Sequence, residues 1–157
     1  MHLHKHIRNP RFLLMYSPQW FDERFGAIKP EGSLGITYLA GALKINGYEV
    51  EILDCCVGNA RYSLQETFYR QTPMNNGMVR VGMDLHDILK EAERFDVIGI
   101  SSLFTAQTRM VEETVSALVR AYPEKRIILG GVNARSQLGR FFDAGAHIIC
   151  TSEAEAT

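Results

Sequence analysis

Apolar residues along this chain fall into short continuous runs separated by longer stretches in which they recur every three or four positions. Residues 11–16, 95–100, 126–129 and 146–150 form the short runs, residues 48–53 alternate apolar and polar, and together they predict five strands. The first, Arg11-Phe12-Leu13-Leu14-Met15-Tyr16, is apolar on both faces, as suits a sheet covered on both sides by helices. The recurring stretches predict helices. Ile36, Leu39 and Leu43 mark one over residues 34–46, stopped by Asn46-Gly47. Leu85, Ile88, Leu89 and Ala92 mark a second, with Asp84 as its N-cap. Val111, Val115, Leu118 and Tyr122 share a face of a third, capped by Thr105 and stopped by Pro123. Leu138, Phe141 and Phe142 mark a fourth over residues 134–144, ended by Gly145.

Two regions break the rhythm. Residues 17–33 hold Pro18, Gly26, Pro30 and Gly32 and predict a long loop, of the kind that is usually functional inside a domain. Residues 55–83 are rich in turn formers, with a small extra strand expected over residues 78–83. Elsewhere strands and helices alternate, which requires a mostly parallel sheet with right-handed crossovers. The fold class expected is α/β, a flavodoxin-like (Rossmann-like) doubly wound sheet of five parallel strands in the order 2-1-3-4-5. Residues 1–10 are expected to be a tail and residues 11–157 one domain. The last strand has no helix after it, so a covering C-terminal helix is expected to be missing and the domain to be part of a longer protein.

Composition narrows the function classes. A formal net charge of −1 gives no electrostatic case for nucleic acid. No apolar run nears the roughly 20 residues of a membrane span, so no membrane partner is expected. Three cysteines, with Cys55 and Cys56 adjacent, do not make a disulfide framework, and a cytoplasmic setting is the simplest expectation. The same cysteines cannot supply a CxxxCxxC cluster motif, and small buried hydrophobes are the better reading for them. His2, His4 and His6 alternate in the tail, His86 falls in a first helical turn, and His147 opens the last strand as a structural histidine.

Candidate chemistry gathers at two strand ends. Ser101-Ser102-Leu103 ends the third strand and Gly130-Gly131 the fourth, with 26 residues between them. Loops leaving the carboxyl ends of parallel strands build the ligand sites of such sheets. One loop offers hydroxyls, and the other offers backbone that a ligand can approach without meeting a Cβ. Taken singly, each segment is explained as a helix cap or a turn; together they point to a site for a large flat cofactor with a polar tail. Arg135 and Arg140 follow the glycines and are candidates to meet a phosphate or an amide. Solvated helix charges are the alternative, favoured for Arg140.

The pair matches the second and third parts of the DxHxxG, SxL, GG pattern of cobalamin-binding domains, at the spacing that pattern requires. The wider text resembles the amino-terminal domain of B12-dependent radical SAM proteins. The similar segments are Leu34-Gly35-Ile36-Thr37-Tyr38-Leu39-Ala40, residues 47–54, residues 95–101, and Ile127-Ile128-Leu129-Gly130-Gly131-Val132-Asn133-Ala134. The tail, residues 152–157, is similar to the G-E-G-E-x-T of those proteins, with Ser152 and Ala154 in place of glycines. The resemblance implies cobalamin as the cofactor, with Ser101, Ser102, Leu103, Thr105, Gly130, Gly131, Val132, Asn133 and Glu153 as the residues that bind it. Ser101 or Ser102 would bond the dimethylbenzimidazole, and a bulky residue at Gly131 would abolish binding without unfolding the domain. A [4Fe-4S] cluster and S-adenosylmethionine would belong to a downstream radical SAM domain, the partner implied, and methyl transfer is the reaction expected of the whole.

The chain also departs from the pattern. Asp22-Glu23-Arg24-Phe25-Gly26 follows the first strand without a histidine. Asp54 and Cys56 stand at the Asp and His spacing but after the wrong strand. The expectation is base-off cobalamin with no protein imidazole, and no metal ligand, on the cobalt. Two alternatives stand beside it. One is a flavodoxin-like interaction or regulatory domain without cofactor; a receiver would carry an aspartate where Ser101 ends the third strand. The other is a nucleotide or flavin enzyme, which the missing glycine fingerprint after the first strand disfavours.

Overall fold

A computed structural model describes residues 9–22, 24 and 33–152. Five strands make the main sheet: β1 (Phe12–Tyr16), β3 (Val50–Asp54), β6 (Val97–Ser101), β7 (Arg126–Gly130) and β8 (Ile148–Ile149). They are all parallel, in the order β3-β1-β6-β7-β8, which is the 2-1-3-4-5 order expected from the alternation. Leu13, Met15, Ile98, Ile100, Ile127 and Leu129 point to one face. There they meet α2 (Leu85–Ala92), α3 (Thr108–Ala121), α4 (Val132–Ser136) and α5 (Leu138–Asp143). Leu14, Tyr16 and Val50 point to the other face, where Ile36 and Ala40 of α1 (Leu34–Ile45) cover them. The two faces are therefore clothed unequally among the described residues.

Several elements depart from expectation. The stretch after β1 is not all loop, because β2 (Gln19–Asp22) pairs antiparallel with β5 (Met78–Val81), which pairs in turn with β4 (Gln71–Pro73). The extra strand expected near residue 78 is thus the centre of a second, three-stranded sheet. Thr105 caps no α-helix: it opens a single 3₁₀ turn (Thr105–Gln107), and α3 starts at Thr108. Asp84 occupies the N-cap position of α2, but its carboxylate pairs with Arg80 and Arg70 instead of the helix backbone. The expected helix over residues 134–144 is broken at Gln137 into α4 and α5. The last strand shrinks to Ile148–Ile149.

The second sheet is fixed near the carboxyl ends of the main one. Trp20 donates its indole N–H to the Ala106 carbonyl, and the Arg109 guanidinium stands 5.2 Å from the Trp20 ring. Below it, the irregular segment after β3 is held by an ion network. The buried Glu91 carboxylate of α2 accepts from Arg61 at 2.6 and 3.0 Å and from Arg94 at 3.0 Å. Both arginines also reach Glu51 of β3.

Candidate functional site: a cleft at the ends of β6 and β7

Register creates the cleft. Tyr16, Ser101 and Gly130 lie side by side at the last rung of β1, β6 and β7, and Leu14, Gly99 and Ile128 two residues earlier. Side chains two apart share a face, so both rungs face the α1 side. Bulk falls from tyrosine to serine to glycine along one rung, and drops at Gly99 on the other. The space left is a cavity of about 290 Å³. Leu14, Ile36, Leu39 and Ile128 give it apolar walls, Leu103 and Val132 stand at its sides, and Ser101 contributes a hydroxyl. A Cβ at Gly99 would come within 2.8 Å of Leu14 Cδ2, so the glycine keeps the floor low.

Behind one wall the two loops are tied together. The Ser102 N–H donates to the Gly130 carbonyl at 2.9 Å, and the Ser102 carbonyl accepts from Asn133 and Ala134 N–H. Asn133 Nδ2 donates to Ser102 Oγ at 2.8 Å and to Thr108 Oγ1 at 3.0 Å. Gln107 Oε1 accepts from the Leu103 and Phe104 N–H groups at 2.9 and 3.1 Å. Gly131 lies between the tied loops with φ +102° and ψ 164°, a region essentially reserved for glycine.

Of the residues singled out in the sequence, Ser101, Leu103, Gly130, Gly131 and Val132 line the cleft. Ser102 and Asn133 are buried and bonded to each other behind the wall, so of the two serines Ser101 is the one on the cleft lining. Thr105 is exposed in its 3₁₀ turn, off the cleft, and Glu153 lies outside the described residues, as do His2, His4 and His6. The cleft also takes in Leu14, Gly35, Ile36, Leu39 and Gly99, which sequence reasoning did not single out. The signal available was Gly99: a glycine inside a strand marks a close approach. Asn133→Ala would leave the Ser102 and Thr108 hydroxyls without this partner. It is expected to cost about 2 kcal/mol of stability in a denaturant titration.

The neighbouring groups are built for structure more than for proton transfer. Asp54, buried at the end of β3, accepts N–H bonds from Cys56, Val57 and Ser33. Burial pushes its carboxyl above the usual range, against the pull of those bonds. Burial also raises the Tyr16 phenol, drives the Cys55 thiol well up, and lifts Cys56 to about 12. Neither thiol is a nucleophile near neutral pH. His147 accepts the Ile127 N–H on Nδ1 at 3.1 Å, the structural role expected of it. Neither it nor the exposed His86 lines the cleft. Among the described residues no three His, Cys, Asp or Glu side chains converge on a metal position. No described helix is long and apolar enough to cross a membrane. The arrangement suits binding: among the described residues it offers a largely apolar slot with the hydroxyl residues Ser101, Thr151 and Ser152 and one cation, Arg135, on its lining.

Comparison with known proteins agrees with the fold. A cobalamin-binding protein from Desulfitobacterium hafniense superposes with a TM-score of 0.57 at 15% identity, over 94% of this chain and 56% of that one. A CheY-like protein from Pseudomonas aeruginosa superposes at 0.53 and 15% identity, over 89% of this chain and 85% of that one. At such identities both speak for the fold alone. In sequence, the chain is 34% identical over 106 residues to cytidylyl-2-hydroxyethylphosphonate methyltransferase from Streptomyces wedmorensis. That match covers 65% of this chain and 18% of the methyltransferase, so the chain spans a small part of that relative. The profile of the B12 binding domain matches residues 30–157. With most of its length inside that profile, the chain belongs to the B12 binding domain family.

Proposed function

We infer that the domain holds cobalamin base-off, with the tail's dimethylbenzimidazole in the cleft and no protein imidazole on the cobalt. The observation that carries this reading is the slot beside β6 and β7. Its volume of about 290 Å³ sits at the low end of small-molecule sites, roughly 300–1,000 Å³. It suits one flat heterocycle and is too small for a corrin, which would lie outside over the strand ends. Ser101 would offer its hydroxyl to the ring, while Gly99 and Gly130 leave the ring room. Leu14, Ile36, Leu39 and Ile128 would exclude water from its faces. A base kept in this slot is unavailable to the cobalt, and the string Asp22-Glu23-Arg24-Phe25-Gly26 after β1 carries no histidine to replace it. When bound, cobalamin supplies a cobalt centre that can accept a methyl group and pass it on. The named methyltransferase relative supports a place in a methyltransferase, and the sequence resemblance extends that reading to the cofactor domain of a B12-dependent radical SAM enzyme. In that enzyme the [4Fe-4S] cluster and S-adenosylmethionine would sit in a downstream domain.

Hydroxocobalamin added to the protein is expected to survive desalting and to show a base-off visible spectrum. It should also shield Cys150, the cleft-lining thiol, from iodoacetamide, while buried Cys55 and Cys56 stay unlabelled with or without it. A base-on spectrum would defeat the binding mode. Loss of the corrinoid on desalting, with Cys150 labelled equally in both samples, would defeat the reading as a whole.

A further inference from the structure

We propose that Arg135 recognises the phosphodiester of the corrinoid tail and makes the cleft selective for corrinoids that carry a complete nucleotide loop. The proposal rests on the cobalamin reading above and extends it to substrate class. Arg135 belongs to α4, four residues past Gly131, and is the one charged side chain that lines the cleft among the described residues. Among the described residues its side chain's one polar contact is a long 3.5 Å approach to the Thr151 carbonyl, and no described acid pairs with it. Its neighbours are differently placed. Arg140 clasps Glu112 through two bonds of 2.7 Å, and Arg109 pairs with Glu113 at 3.0 Å. Among the described residues, a cation without a counter-charge therefore stands beside an otherwise uncharged slot.

The chemistry of the tail supplies the counter-charge. Dimethylbenzimidazole and ribose are neutral, and the negative charge of the nucleotide loop sits on the phosphodiester joining the ribose to the corrin side chain. A ring seated among Ser101, Gly99 and Gly130 would leave that linkage outside the slot, and Arg135 on the lining is exposed to solvent. Guanidinium is planar, permanently charged and forked, and so fits two phosphate oxygens at once. Salt screens an exposed pair of this kind, and bonds that involve charged groups contribute more than neutral ones. An effect of about tenfold in affinity is expected.

The test compares hydroxocobalamin with dicyanocobinamide, which lacks the nucleotide loop, on wild-type protein, Arg135→Gln and Arg135→Lys, by spectroscopic titration at low and high salt. Arg135→Gln is expected to weaken cobalamin about tenfold, to leave cobinamide unchanged, and to flatten the salt dependence of cobalamin binding. Arg135→Lys should recover part of the loss by restoring the charge without the fork. Equal cobalamin affinity in wild type and Arg135→Gln would overturn the proposal, as would the same loss for both corrinoids. If wild type binds neither corrinoid, the cobalamin reading falls first and this proposal with it. Melting temperatures of the three proteins are expected to agree, since the side chain is exposed.

Discussion

Gly130→Val is expected to weaken hydroxocobalamin at least about tenfold and leave the fold standing, whereas Gly131→Ala is expected to undermine the fold itself. The two glycines are adjacent, but they meet different surroundings. Gly130 ends β7 in extended backbone, and a Cβ there finds nothing closer than Cys150 Cβ at 4.0 Å. Valine suits a strand, and its methyls would enter the slot and compete with the ring, an overpacking that costs about 1–3 kcal/mol. At Gly131 a Cβ would stand 2.4 Å from the Ser102 carbonyl oxygen and 2.9 Å from its carbon, both backbone atoms. The φ of +102° adds about 1–3 kcal/mol for any other residue. The expectation that a bulky residue at Gly131 removes binding alone is therefore corrected, and Gly130 is the position that separates binding from folding. Thermal melts and titrations on both variants decide the matter. Retained affinity in Gly130→Val would place the ligand elsewhere, and an unchanged melt for Gly131→Ala would refute the strain argument.

Glu91→Ala is expected to lower stability by about 2–3 kcal/mol. The carboxylate is only 5% exposed and receives three arginine bonds, with the Tyr62 hydroxyl a further 3.5 Å away. Arg61 and Arg94 are each 43% exposed and keep Glu51, so they can turn toward water when Glu91 is lost. That limits the cost below the value for stranding a buried charge. At roughly 2–4 °C per kcal/mol for a chain of this size, the melting midpoint should fall by about 4–12 °C. A shift under 1 °C would show that the network contributes little. Because Arg61 belongs to the irregular stretch after β3, protease nicking there should rise in parallel.

The parallel sheet was legible because its strands are short, mostly apolar runs set between amphipathic helices, with β3 marked by alternation instead. Of the antiparallel sheet only the central strand near residue 78 was expected. Strands of three and four residues are too short to show a period, and Gln19–Asp22 becomes a strand only because Met78–Val81 lies beside it. The start of α3 was misplaced for a related reason. Thr105 looks like a cap by residue type, yet the Gln107 side chain satisfies the loop N–H groups and leaves a 3₁₀ turn between them and the helix. At the site, Ser101, Leu103 and the glycine pair were visible from their position at strand ends. The opposed roles of Ser101 and Ser102 follow from pleating, which sends adjacent residues to opposite sides. The wall formed by α1 was invisible, because only the fold sets Ile36 and Leu39, packed with β1 and β3, across the cleft from β6 and β7.

The unequal clothing of the two sheet faces would make a bound tail more than a passenger. On the α1 side, Leu14, Gly99 and Ile128 floor an apolar trench where the opposite face is filled by side chains from four helices. A ring lodged there would act as a detachable piece of hydrophobic core. Ligand that binds only the folded form raises stability with the logarithm of its concentration, about 2.7 kcal/mol at a hundred times Kd. The domain would then behave as a thermometer of its own loading: its melting temperature would climb with corrinoid supply, and starved protein would be the fraction first removed by proteolysis.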